Sequence, residues 1–161
     1  MAITYEPIAT TTLGSATASV IFSTISGAYT DLVLVVDGQL DSGSAACYLR
    51  FNSDTGSNYS YTELEGNGIS GNSYRGSNET RLWFTSYYGT SRSMSNVQIQ
   101  NYSNSTTYKT AVIRQNNAVL YTAVAVGLWR DTSAITAIEL FPASNNWATG
   151  TTFTLYGIKA A

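Results

Sequence analysis

Histidine is absent from this chain, and cysteine occurs only once. Without an imidazole, Ser-His-Asp and Cys-His nucleophilic machinery is excluded, as are histidine-based zinc sites. The lone Cys47 can build neither a thiolate zinc site nor an intrachain disulfide, and its setting in Ala46–Leu49 reads as a small core position. Charge is scarce as well. Asp, Glu, Lys and Arg make up 11% of the chain, with a formal net charge of −2, against roughly 25% charged residues in an average soluble chain. The cationic residues stand singly, so binding to nucleic acid through phosphate neutralisation is not expected. No apolar run approaches membrane-spanning length, and Met1–Glu6 lacks the basic region and long apolar stretch of a secretion signal. Hence no membrane partner is expected, and synthesis in a cytosol is. There is no Gly-rich phosphate loop ending in Gly-Lys-Ser/Thr and no repeat of constant spacing, so neither P-loop chemistry nor a propeller or solenoid is supported. No cofactor or metal is expected.

What the chain does contain is strand-forming sequence. Hydrophobic residues make up 43%, and Ser, Thr, Asn, Gly and Tyr must cover most of the surface. Such a surface offers little repulsion against self-association, and burial of strand edges in an assembly follows naturally. The strongest signal is Tyr29–Leu40. Its apolar run Leu32–Val36 is rich in β-branched residues, too short for an ordinary helix, and bounded by Asp31 and Asp37-Gly38. It reads as a central strand with Leu32, Leu34 and Val36 on one face and Val33 and Val35 on the other.

About ten short strands separated by polar turns, with no convincing amphipathic helix, predict an all-β, antiparallel β-sandwich with a jelly-roll topology. Residues 1–13 read as an extended N-terminal arm in which Pro7 demands an edge position. Residues 14–161 read as one sandwich domain, of a size that buries most of its apolar surface without staples. Glu65–Asn78, with four glycines, reads as a long mobile loop.

Candidate functional residues are few. Trp83, Tyr87 and Tyr88 are placed to form a sugar-stacking platform, although Tyr and Trp serve equally as interface or half-buried sheet residues. Ala123, Ala125 and Gly127 alternate along one strand face and leave room for a close approach. Either a large aromatic from within the chain or a subunit contact would fill it. Glu63, Glu65, Glu79 and Glu139 are the carboxylates from which a glycosidase pair would be drawn, but no pair is visible. Asn52–Asn58 has oxygen ligands at alternate positions, yet Ser57 stands where a calcium loop needs glycine, so the segment reads as a self-bonded Asp/Asn/Gly turn.

Four phrases taken together, Tyr29–Val36, Leu49–Ser60, Gly127–Arg130 with Ile135–Ile138, and Thr152–Ile158, resemble small virion proteins of tailed bacteriophages, particularly phages of cyanobacteria and other aquatic bacteria. The resemblance implies a structural protein without catalytic residues. Its leading form is a capsid decoration (cement) protein, a homotrimer seated over junctions of the major capsid protein. Such a protein would be made in the host cytoplasm and located on the virion. The alternative it implies is a tail, baseplate or fibre component that binds host glycans through Trp83, Tyr87 and Tyr88. A hydrolase, the third class, would depend on Glu63 or Glu79.

Overall fold

The structure is a computed structural model that describes residues 5–117 and 119–159, apart from the side chain of Ser86. Among these residues there is no helix, and twelve strands carry the fold. They are β1 (Tyr5–Thr12), β2 (Val20–Phe22), β3 (Asp31–Gly38), β4 (Ala45–Phe51), β5 (Tyr59–Gly66), β6 (Gly71–Glu79), β7 (Leu82–Tyr88), β8 (Ser93–Gln100), β9 (Lys109–Asn117), β10 (Tyr121–Trp129), β11 (Ile138–Pro142) and β12 (Thr152–Ile158). All named pairings are antiparallel, and the expected all-β sandwich is present.

The strand order also shows the jelly roll. One sheet runs β1-β12-β3-β8-β9-β10-β5-β6 and the other β2-β11-β4-β7. Leaving out the hairpins β5–β6 and β9–β10, the chain changes sheet at every step except from β4 to β7, which pair within the smaller sheet, and this gives the eight strands and two facing sheets of that topology. Both hairpins are inserted on the same side of the first sheet, beyond β8. The first sheet therefore extends past the edge of the second, where β7 packs across β5, β9 and β10.

Between the sheets, alternation does what the sequence suggests. In β3, Leu32, Leu34 and Val36 are fully buried, facing a core that includes Leu49, Phe51, Phe84, Val97, Ile113, Leu140 and Leu155. Trp147, from the β11–β12 connection, closes one end with its ring edge-on to Tyr88 at 5.2 Å and to Phe153 at 5.1 Å. At the other end Phe51, Tyr59 and Trp129 pack together.

Two expectations change. The N-terminal segment does not stand apart as an arm. Tyr5–Thr12 is an edge strand laddered on β12, with an irregularity at Pro7/Ala9 where the ladder lacks a proline donor; residues 1–4 lie outside the described residues. Glu65–Asn78 is not a loop but the greater part of a hairpin. The Asn67 side chain accepts the amides of Ile69 and Ser70 at 2.9 and 2.8 Å, and Gly68 adopts φ 85°, so the turn closes locally. The strand after it has no apolar face to betray it, and backbone pairing with β5 holds it in place.

Candidate functional site

The overhang of the large sheet creates the site. Along β5, Tyr59, Tyr61, Glu63 and Glu65 share the face turned toward β7, while Ser60, Thr62 and Leu64 take the other. The ladder sets three rows on that inner face: Gly76–Tyr61–Gly127, Tyr74–Glu63–Ala125 and Asn72–Glu65–Ala123. β7 covers the β10 end of each row. The β5–β6 end projects beyond it.

Aromatic rings line the step between the sheets. The Tyr61 ring lies nearly parallel to the Trp83 indole, with centroids 5.3 Å apart and planes at 18°. Tyr61 can lie there because it passes over Gly76, where a Cβ would sit 2.4 Å from its Cε1. Trp83 in turn meets Tyr48 edge-on at 5.2 Å, and Tyr48 lies 5.7 Å from Phe141. Arg81 covers the Tyr48 ring at 4.2 Å, and Arg50 covers Phe141 at 4.7 Å while pairing with Glu139 at 2.9 Å. One row of rings thus crosses the outer face of the small sheet and turns down into the overhang.

The opposite wall is polar and aromatic. Tyr74 donates its hydroxyl to Glu65 Oε1 at 3.1 Å, and Asn72 Nδ2 donates to the same oxygen at 3.3 Å. Tyr87 is 52% exposed. Its backbone is held from below, its amide donating to the Tyr121 hydroxyl at 2.9 Å, which also lies 2.8 Å from Thr85 Oγ1. Ala46, Tyr61, Glu65, Tyr74, Trp83 and Tyr87 together enclose an open trough of about 300 Å³. Glu63 lies fully buried beside it.

The phenols around the trough hold their protons. Burial raises Tyr61, with the charges of Glu79 and Glu63 adding to the shift, and the hydrogen bond to Glu65 raises Tyr74. Burial pushes Tyr121 up to about 12. At neutral pH all three remain hydroxyls able to donate.

Of the residues proposed from sequence, Trp83 and Tyr87 come together in the trough and Tyr88 does not. Tyr88 is in the core, its ring stacked on Phe84 at 6.1 Å and its hydroxyl 3.0 Å from Ser95 Oγ. It shares the strand parity of Leu82 and Phe84, and burial follows from that. Ala123, Ala125 and Gly127 are not a subunit contact. They are buried beneath β7, and Leu82 occupies the space, so that a Cβ on Gly127 would lie 2.3 Å from Leu82 Cδ1. The filler is an aliphatic side chain of the same chain rather than an aromatic. Asp54, in the turn weighed as a calcium loop, accepts from Trp129 Nε1 at 2.7 Å, Asn58 Nδ2 at 2.9 Å and the Gly56 amide at 2.7 Å, fastening the loop to the core. Cys47 is buried, and desolvation raises its thiol, which makes it an inert core residue.

Sequence reasoning missed Tyr61 and Tyr74 as members of this site, and it named Glu65 only as a candidate for a carboxylate pair, not as a partner of Trp83 and Tyr87. The alternation Tyr59, Tyr61, Glu63, Glu65 was the available signal for the first wall. The strand that bears Tyr74 has no comparable pattern.

No family model matches the chain, and no curated protein does. Among solved structures, the chain is similar to the alginate lyase Aly36B. The free lyase aligns at 8% identity and TM-score 0.36, covering 94% of this chain and 80% of that one. A double mutant in complex with an alginate tetrasaccharide aligns at 12% identity and TM-score 0.36 over the same shares. A second mutant, in complex with an alginate trisaccharide, gives 11% identity and TM-score 0.37 over 93% and 80%. Likeness this distant assigns no activity or substrate. These structures are of an enzyme and not of a virion component, and the expectation of a capsid or tail structural protein without enzymatic activity is not carried forward. Both the virion assignment and the exclusion of catalysis are withdrawn.

Proposed function

We propose that this protein binds carbohydrate, holding an oligosaccharide in the trough between β7 and the β5–β6 hairpin. The observation that carries the reading is the convergence of Tyr61, Trp83, Tyr74 and Tyr87 around the Glu65 carboxylate in one open, mostly apolar groove. Pyranose rings have apolar C–H faces and a rim of hydroxyls. Flat aromatic walls bury the former, and a carboxylate, an amide and phenols bond the latter. The walls are also preorganised: Trp83 is packed between Tyr61 and Tyr48, and Tyr87 is tethered by Tyr121, so little ordering cost remains for binding.

A glycan array probed with the purified protein, followed by calorimetry on the hits, tests the reading. Selective binding is expected, and Trp83→Ala should weaken it by roughly tenfold or more, in line with the loss of a stacked aromatic anchor. An array without selective binding, or hits whose affinity Trp83→Ala leaves unchanged, would refute it.

A further inference from the structure

From the charges around the trough we infer that its ligand is a neutral oligosaccharide and that uronate-type, anionic sugars are rejected; this rests on the carbohydrate reading above. Among the described residues no lysine or arginine lines the trough. The acids are concentrated there. Glu65 forms part of the wall, Glu63 is the next residue along the same strand face, and Glu79 opposes Tyr59 at the near end of the hairpin. The cations in the vicinity are committed elsewhere. Arg81 sits on the Tyr48 ring, Arg50 pairs with Glu139, and Arg75, although it follows Tyr74, lies on the opposite face of the sheet, across from Thr62 and in a separate depression with Ser77, Thr110 and Val126.

Glu65 Oε1 is taken up by Tyr74 and Asn72, which fixes the carboxylate in the trough wall. A carboxylate so held accepts a sugar hydroxyl in a charge-assisted bond. The same group repels a sugar carboxylate in the same place, and the partial burial of the trough weakens the screening that would hide the repulsion in open water.

Matched β-1,4-linked tetrasaccharides of mannose and mannuronic acid differ only at C6, and gluco/glucurono and galacto/galacturono pairs extend the comparison. Titration of the full chain with each pair at low and high salt is expected to give about tenfold or greater preference for a neutral member. The preference should shrink as salt rises and in Glu65→Gln, which should also bind the neutral sugar more weakly. Uronate bound as tightly as its neutral counterpart would overturn this inference and leave the carbohydrate reading standing. If no member of any pair bound, both would fall. A neutral preference that Glu65→Gln and salt left intact would show that charge is not its cause, and would also overturn the inference.

Discussion

Replacing Gly76 by alanine isolates the geometry of the trough from its chemistry, because the substitution adds one methyl group and removes no functional atom. The new Cβ would stand 2.4 Å from Tyr61 Cε1, 3.1 Å from its Cζ and 2.9 Å from Glu79 Oε1. A ring cannot flex away as an aliphatic tip can, so Tyr61 must swing off β6 and out of its parallel stack with Trp83. That forfeits about 0.5–1.5 kcal/mol of ring–ring interaction, offset in part by about 0.4–1 kcal/mol from the stiffer unfolded chain. Global stability should therefore move little. At about 2–4 °C per kcal/mol for a chain of this size, the melting temperature should change by no more than about 4 °C. Ligand affinity should fall about tenfold, since the platform is no longer formed before binding. Calorimetric unfolding and a binding titration on the same sample read both effects. Unchanged affinity with an unchanged melting temperature would show that Tyr61 accommodates the methyl group without leaving Trp83, and the reasoning about Gly76 would be wrong.

Gly127→Ala should do the reverse, because its Cβ would meet Leu82 in the core at 2.3 Å; overpacking of this kind costs about 1–3 kcal/mol and should appear as a clear loss of melting temperature. Tyr121→Phe removes the acceptor for the Tyr87 amide and the partner of Thr85, so it should lower stability by about 1 kcal/mol and weaken ligand binding through Tyr87, with Trp83 undisturbed; unaltered binding would remove Tyr121 from its positioning role. At Asp54, burial favours the protonated acid, but hydrogen bonds from Asn58, Trp129 and Gly56 and the charge of Arg50 outweigh it and hold the carboxyl below its ordinary value. Because the folded pKa is depressed, its stabilisation is complete above the unfolded value of about 4 and is lost as pH falls through the lower, folded value. Asp54→Asn should flatten the acid limb of the stability profile, and an unaltered limb would contradict this.

Much of the fold was legible because burial imposes period two on strands that face a core. Leu32, Leu34 and Val36 showed it, and Pro7 correctly demanded an edge. The Gly71–Glu79 strand was illegible for the same reason: it sits at the edge of the overhang, buries almost nothing, and is held by backbone bonds that any sequence without proline can make. The site straddles both situations. Trp83 and Tyr87 were visible as exposed-parity aromatics on an apolar strand. Tyr61 and Tyr74 depended on a pairing between β5 and β6 that side chains do not announce. The small residues of β10 posed a question that only the packing of β7 could answer, and Leu82 answers it.

The trough itself is best tested through its own indole. Trp129 and Trp147 are buried to 1% and 0% exposure, which leaves Trp83 as the half-buried tryptophan of the chain. Acrylamide quenching of tryptophan emission should therefore report mainly on Trp83, and a saturating oligosaccharide identified on the array should reduce it, with the effect abolished in Trp83→Phe. Binding that leaves the quenching of the wild-type protein unchanged would place the ligand elsewhere and contradict the account.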